Sequence, residues 1–160
     1  MFRTILFVLA GVAACGIAQD RGLPNMEKQI ADTLDDWHDA AARADEERFF
    51  KHFTSDAVYL GLDAGARWNR DEFRKLYHPN FKQGQVWKFK ATSRNIYFSK
   101  DNRTAWFDEE IQREGLSPAR GTGVLIQAEA MVWKIAHYSL SVPIQPEASK
   151  DRNITGEKRK

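Results

Sequence analysis

The order of the hydrophobic periodicities along the chain constrains its fold more than any other feature. From Met26 to Ala44, apolar residues recur at steps of three and four, which predicts an amphipathic helix. In the second half the pattern alternates instead, which predicts strands near 86–98, 104–113, 120–127 and 133–142. Consecutive strands after a helical start indicate an α+β domain, with an antiparallel sheet and the helices gathered on one face.

Two shorter helices and one strand are predicted between these two parts. Asp45 can cap a short second helix, and residues 57–62 have the composition of a strand. Asn69, followed three residues later by Glu72, is typical of a capping box at the start of a third helix. We expect that helix to end at Pro79, because proline cannot continue the hydrogen-bond ladder.

The first residues have the composition of an export signal rather than of a folded element. Arg3 precedes an apolar run over 5–14, which is too short to span a bilayer as a helix. We therefore predict a signal peptide over 1–18 and a linker over 19–25, where Gly and Pro discourage regular structure. The protein is expected to be exported to the periplasm or cell envelope.

Two kinds of processing fit this segment. Gly16 and Ala18, on either side of Ile17 and before Gln19, are small residues that suit a signal peptidase. The run Val12–Cys15 instead resembles the lipobox of bacterial lipoproteins, in which the cysteine carries the lipid anchor. Cys15 is the only cysteine, so no disulfide can form within the chain.

The remainder has the size of one domain and lacks the patterns of several large functional classes. We predict a single domain over 26–146 and a polar, flexible tail over 147–160. A formal net charge of +2, without a basic stripe, argues against a nucleic-acid partner. The four histidines lack metal-ligand spacing, and there is no phosphate-binding loop or nucleophile elbow. We therefore expect no metal and no cofactor.

Several stretches of the chain resemble a known family. They are Asp56–Asp63, Ala105–Glu109, Arg120–Leu125 and Trp133–Ser141. Together with the order of elements, they resemble the SnoaL-like branch of the nuclear-transport-factor-2-like, or cone-like, superfamily. The resemblance implies three N-terminal helices packed on a curved antiparallel sheet around a hollow. Isomerases, cyclases, hydrolases and binding modules share this fold, so the fold alone does not select a function.

The resemblance also has implications for dimers and for chemistry. Relatives often dimerise through the outer sheet face, where we expect Trp106 and Trp133. In ketosteroid isomerase, a relative on this fold, a tyrosine and a protonated acid stabilise the enolate while an aspartate moves the proton. Matching by length puts Trp37 at the tyrosine and Gly61 near that aspartate, so this chemistry does not carry over. Asp63 is the nearest substitute for the proton carrier.

Strand alternation sorts candidate site residues onto faces. On 104–113 the apolar face carries Glu109, a carboxylate that must be paired or have its pKa raised by burial. If the β-branched face of 120–127 points inward, Arg120 can approach Glu109, either as a structural ion pair or as a ligand-binding pair. Tyr138 lies on the apolar stripe of the last strand and offers a hydroxyl. The predicted pocket comprises Trp37, Tyr59, Asp63, Trp68, Phe73, Tyr77, Trp87, Phe107, Glu109, Arg120 and Tyr138.

Two functions fit these residues. The first is a binding module for a small, partly apolar molecule, because aromatic walls with a few polar groups suit such a pocket. The second is a cofactor-independent isomerase, lyase or cyclase-like enzyme. In that case Asp63 or Glu109 is the general base, Trp37 and Tyr138 are neutral donors, and Arg120 orients the substrate.

Overall fold

A computed structural model describes residues 22–84, 87–113 and 117–143. The predicted signal peptide with Cys15 and the predicted tail over 147–160 lie outside these residues. The described residues form three α-helices, six strands and one 3-10 turn (Glu129–Met131). In chain order the helices and strands are α1 (Gly22–Ala42), α2 (Glu46–Lys51), β1 (Phe53–Leu60), β2 (Arg67–Asn69), α3 (Arg70–Lys82), β3 (Phe89–Phe98), β4 (Thr104–Arg113), β5 (Ala119–Gln127) and β6 (Trp133–Ser141).

The first helix has the predicted stripe but begins earlier than predicted. α1 starts at Gly22, so the last four residues of the expected linker are helical. Pro24 falls in the first turn, where a backbone N–H has no partner within the helix and its loss costs nothing. Ile30, Leu34 and Trp37 on the apolar stripe are buried, as their spacing predicts.

The two shorter helices begin at the predicted caps. Asp45 accepts a hydrogen bond from the Arg48 backbone N–H at 3.1 Å at the start of α2. Asn69 and Glu72 form the reciprocal capping box of α3. The prediction that α3 ends at Pro79 is wrong, since the helix continues to Lys82. The last turn carries Phe81 into the core, and that burial offsets the hydrogen bond that proline cannot make.

The six strands form one sheet in the order β2-β1-β6-β5-β4-β3. Neighbouring strands are antiparallel except β1 and β6, which pair in parallel, so the sheet is mixed rather than wholly antiparallel. The sequence pattern of a strand does not show in which direction a strand distant in the chain will pair with it. The parallel pairing of β1 with β6 therefore could not be predicted. The predicted α+β class, with helices against one face of a sheet, is confirmed. Among the described residues, no helix is both long and apolar enough to cross a membrane.

The last strand contains a bulge that changes which residues face the core. Leu125 pairs with Ile135, whereas the preceding Val124 pairs with His137, so Ala136 is the extra residue. Trp133 and Ile135 therefore share the inner face with Tyr138 and are buried. The prediction that Trp133 lies on the outer face is wrong for this reason. Tyr97 and Trp106 do lie exposed, with stacked rings 5.9 Å apart.

Candidate functional site

The buried carboxylate of Glu109 lies at the centre of a polar cluster inside the domain. β4 alternates strictly, so Glu109 shares the inner face with Ala105, Phe107 and Ile111, and only 1% of it is exposed. Glu109 Oε1 lies 2.8 Å from His38 Nε2, and Glu109 Oε2 accepts a hydrogen bond of 2.9 Å from Arg94 Nε. The carboxylate is thus paired on both oxygens, as its burial requires.

Arg94 ties the edge strand β3 to helix α1. In the β3–β4 ladder Arg94 stands directly opposite Glu109, which brings the guanidinium to the carboxylate. Its Nη1 also donates to the backbone oxygen of Ala31 at 3.2 Å and to Asp35 at 2.9 Å. Its Nη2 lies 2.9 Å from Glu109 Oε2 but is not aligned for a hydrogen bond. One arginine therefore joins an inner carboxylate to an exposed one.

Tyr138 completes the cluster from β6, reaching across β5 on the same inner face of the sheet. It is fully buried, and its hydroxyl lies 3.4 Å from Glu109 Oε1, a long hydrogen bond. The ring reaches this position because Gly121, which pairs with Glu109 in the β4–β5 ladder, has no side chain there. A Cβ on Gly121 would lie 2.3 Å from the Tyr138 hydroxyl.

The charges in the cluster stabilise an ionised carboxylate. Burial opposes ionisation of Glu109, but the hydrogen bond from His38 and the charge of Arg94 outweigh it, so its pKa lies below the ordinary value. Burial, with the nearby charge of Glu109, raises the pKa of Tyr138 well above its usual value. At neutral pH the cluster therefore contains a carboxylate anion and a neutral phenol.

Trp37 places an unused donor next to this cluster. Its indole is 2% exposed, and its Nε1 has no hydrogen-bond partner among the described residues. The Trp37 and Tyr138 rings meet edge to face with centroids 4.7 Å apart, and His38 is the next residue on α1. A buried N–H without an acceptor costs on the order of 1–3 kcal/mol, so an acceptor in this region would be stabilising.

The predicted aromatic residues form one connected group that leads from the cluster toward the surface. Tyr59 stacks on Phe73 at 4.1 Å and on Tyr138 at 5.5 Å. Tyr77 and Trp87 are half-buried and contact each other at 4.7 Å. Trp68, also half-buried, and Phe107, buried on the inner face of β4, extend this group. The aromatic walls of the predicted pocket are thus brought together.

Two predicted polar residues lie elsewhere. Asp63 is exposed in the turn after β1, which ends at Leu60. The pKa of Tyr77 is raised mainly by the burial of Tyr77 itself and, to a lesser extent, by the negative charge of Asp63. Asp63 is therefore close to the half-buried aromatics and is not part of the Glu109 cluster. Arg120 is exposed on the outer face of the sheet. The prediction that it approaches Glu109 is wrong, because Gly121 and Gly123 rather than the β-branched residues face inward, where Tyr138 and Phe107 fill the space.

Sequence reasoning missed His38 and Arg94, although both had a detectable signal. His38 lies four residues after Leu34, so it occupies a position on the buried stripe of α1. Arg94 alternates with Ile96 and Phe98, and counting outward from the turn at 100–102 pairs it with Glu109. To predict either residue, one has to assign a polar side chain to a position of the apolar, inward-facing pattern.

The cluster suits recognition or proton exchange better than metal binding. Within the described ranges, no group of three or more histidine, cysteine or carboxylate side chains is arranged to hold a metal ion. The cluster contains a paired carboxylate, an imidazole, a phenol and an indole N–H, surrounded by aromatic rings. These groups belong to Glu109, His38, Tyr138 and Trp37. Such a set can hold a small molecule by a few directed hydrogen bonds in apolar surroundings.

Comparison with known proteins identifies the domain and its fold. A family model described as SnoaL-like domain matches residues 30–145. No curated protein matches the chain. An NTF2-like protein of unknown function from Pseudomonas putida is similar in structure, with a TM-score of 0.64, 12% identity, and 78% of this chain and 91% of that chain covered.

Two further solved structures have names that mention enzymes. A candidate scytalone dehydratase from Novosphingobium aromaticivorans has a TM-score of 0.63 and 12% identity, with 78% of this chain and 88% of that chain covered. A candidate ketosteroid isomerase from Shewanella frigidimarina has a TM-score of 0.58 and 14% identity, with 72% of this chain and 97% of that chain covered. At such identities these likenesses show the fold alone, and they confirm the expected cone-like architecture.

Proposed function

The chain belongs to the family of SnoaL-like domain proteins, and we propose that its domain binds a small, partly apolar molecule beside Glu109. The observation that carries this proposal is the Trp37 indole N–H, which is buried without a partner among the described residues. A donor kept out of water and unused is costly, whereas an acceptor atom of a bound molecule would satisfy it. The half-buried Tyr77 and Trp87 supply the apolar surface on the route inward.

Native mass spectrometry of the protein purified from its host tests this proposal. We expect a small-molecule mass increment on the wild type that is lost or much reduced in Trp37→Phe. Trp133→Phe is the matched control, because Trp133 Nε1 is also buried and unpartnered but belongs to the β6 strand near Phe98. Increments that are equal in all three proteins, or absent from the wild type, would contradict the proposal.

A second candidate is a cofactor-independent isomerase, lyase or cyclase-like enzyme on the same site. The observation in its favour is the buried contact of 2.8 Å between His38 and Glu109, which couples an imidazole to a carboxylate. The lowered pKa of Glu109 makes that carboxylate a weaker proton acceptor than an unpaired buried one. Separate mutation of Asp63 and Glu109 tests this candidate. Loss of turnover with retained binding would indicate catalysis, whereas loss of binding alone would indicate a binding module.

Export and lipid anchoring remain part of the proposal. Support comes from the apolar run over 5–14 and from the position of Cys15 directly after it. Labelling cells with a fatty-acid probe should mark the wild type and leave Cys15→Ala unmarked. Label that persists in the variant would reject the anchor.

A further inference from the structure

We propose that the end of the domain around the β5–β6 turn contacts the surface of a bilayer that contains anionic lipids. This inference rests on the proposed lipid anchor at Cys15 and names the surface that the anchor brings against the membrane. The surface, called the membrane end below, consists of exposed apolar residues surrounded by basic ones. The apolar residues are Ile126, Met131 and Val132, and the basic residues are Lys51, Lys100, Arg103 and Lys134.

The register of the strands brings the parts of the membrane end together. Ile126 pairs with Lys134 across β5 and β6. The backbone N–H of Gln127 donates to the backbone oxygen of Arg103 at 2.9 Å, which joins the β3–β4 turn to the end of β5. The ammonium group of Lys134 donates to the backbone oxygen of Lys51, the last residue of α2. Two turns and the end of a helix therefore form one continuous surface.

The apolar residues of the membrane end contribute little to the packing of the domain. Met131 is 67% exposed, Val132 48% and Ile126 36%. Met131 also has a φ of 64°, a left-handed backbone conformation that favours glycine over a residue with a side chain. Exposed apolar side chains gathered in one place are typical of a contact with a membrane or with another protein.

The charges around these apolar residues favour an anionic partner. Within the described ranges, none of the four basic residues forms a salt bridge with a carboxylate. Burial and the nearby charge of Lys51 lower the pKa of Lys134, which is consistent with positive charges held close together. The two turns carry the carboxylates Asp101 and Glu129, of which Asp101 already accepts a hydrogen bond of 2.6 Å from the Ser99 hydroxyl. An excess of unpaired cations attracts the headgroups of anionic lipids.

Helix α1 begins at the same end of the domain. Near its C-terminus the helix contacts the far end of β3, because the rings of His38 and Phe89 are 6.1 Å apart. Two turns earlier, the backbone oxygen of Ala31 accepts from Arg94, which is closer to the β3–β4 turn. α1 therefore runs antiparallel to β3. Gly22, nine residues before Ala31, lies about 14 Å further in the direction of the membrane end.

The proposed anchor holds the membrane end near the bilayer. Residues 16–21 separate Cys15 from Gly22, and seven Cα–Cα steps span at most about 25 Å. Attraction to charged headgroups falls off within about 8–10 Å in physiological salt, so it acts mainly on the end of the domain that the anchor keeps close. The half-buried Tyr77 and Trp87 lie near Phe89 at the opposite end, where they face away from the membrane.

Fluorescent dyes attached to single cysteines test this contact in the anchored protein. Cys15 is the only cysteine and its sulfur carries the lipid, so a cysteine introduced elsewhere is the one free thiol. In vesicles of phosphatidylethanolamine and phosphatidylglycerol, a polarity-sensitive dye on Met131→Cys or Val132→Cys should emit at shorter wavelength. The same dye should be quenched by nitroxide-labelled lipid. Leu62→Cys is the matched control, since Leu62 is 54% exposed after β1 at the opposite end, and its dye should show neither response.

Charge reversal tests the electrostatic part of the contact. Lys100→Glu combined with Arg103→Glu should reduce both responses of the dye at position 131, as should vesicles of pure phosphatidylcholine. Lys75→Glu combined with Lys82→Glu, at exposed positions of α3, is the matched control and should leave the responses unchanged. Equal responses in both double variants would contradict the role given to the basic residues.

The outcomes separate this inference from the proposed anchor. If the protein carries the lipid but no dye responds, or if the dye at position 62 responds as strongly as the others, the inference is wrong and the anchor stands. If the protein takes up no fatty-acid label and is washed off the vesicles, both fail. If the dye at position 131 shifts without vesicles as the protein concentration rises, the surface is a contact between proteins, which also overturns the inference.

Discussion

Gly121 and Tyr138 fit together so closely that a single methyl group on the glycine would clash with the tyrosine hydroxyl. A Cβ at position 121 would lie 2.3 Å from Tyr138 Oη and 3.0 Å from Glu109 Oε1. Because the clash would fall on the Tyr138 hydroxyl, a substitution at Gly121 on β5 perturbs the Glu109 cluster directly.

Gly121→Ala should destabilise the protein by about 1–3 kcal/mol, since the new methyl overpacks a buried site. Tyr138→Phe removes the clashing oxygen and should recover part of that loss, with urea unfolding as the measurement. Gly123→Ala serves as control, because its Cβ would meet the His137 backbone oxygen and the Phe107 ring, which Tyr138→Phe does not relieve. Equal recovery in both backgrounds would contradict the packing described here.

Removal of the Glu109 carboxylate should be strongly destabilising. Glu109→Ala leaves Arg94 and His38 without their buried partner, and breaking a buried ion pair from one side costs about 3–5 kcal/mol. Glu109→Gln keeps the shape and one acceptor and should cost clearly less. A double-mutant cycle with Arg94→Met measures the coupling, and additive losses would show that the pair is not coupled.

The stability of the protein should fall in acid, partly through Glu109. The folded-state pKa of Glu109 is below its ordinary value of 4.5, so its contribution is present above that value and is lost as pH falls through the folded pKa. Unfolding free energy measured against pH should therefore drop more steeply below about pH 4.5 in the wild type than in Glu109→Gln. If the free energy of unfolding fell equally steeply in acid for the wild type and for Glu109→Gln, this assignment would be contradicted.

His52 should add a separate step at higher pH. Burial lowers its pKa below the ordinary 6.5 despite the hydrogen bond of 2.7 Å to Asp36. Its contribution is complete above 6.5 and decreases as pH falls through the folded pKa, because the unfolded chain binds the proton more readily. His52→Gln should flatten the stability profile just below that value and leave the Glu109 step intact.

The exposed ring pair on the outer sheet face is where we expect two copies to meet. Tyr97 and Trp106 are 46% and 45% exposed and stack on each other, which is typical of interface aromatics. Trp106→Lys should shift sedimentation from dimer to monomer without changing the circular dichroism spectrum. Met131→Lys, an exposed position outside the strands, is the control, and a monomeric wild type would exclude this interface.

Elements with a strong period could be predicted from the sequence. The stripe of α1, the caps at Asp45 and Asn69, and the strand over 104–113 follow from local spacing, because each depends on residues close in the chain. The inner position of Glu109 followed in the same way, since alternation alone decides the face.

Features that depend on distant parts of the chain could not be predicted in this way. The face of Arg120 depends on which side of β5 must make room for Tyr138 and Phe107, and the burial of Trp133 depends on the bulge at Ala136. His38 and Arg94 were not predicted because a single polar side chain in an apolar pattern looks like an exception to that pattern until its buried partner is known. The carboxylate that explains both lies 71 and 15 residues away along the chain.

The parallel pairing of β1 with β6 also bears on how the domain folds. The first and the last strand of the described residues lie side by side, with the β3–β5 meander on the other side of β6. Such a sequence-distant contact requires closing a loop of most of the domain, which slows folding. The sheet described here cannot be completed until β6 has been synthesised, so a nascent chain that lacks β6 leaves both β1 and β5 with an open edge.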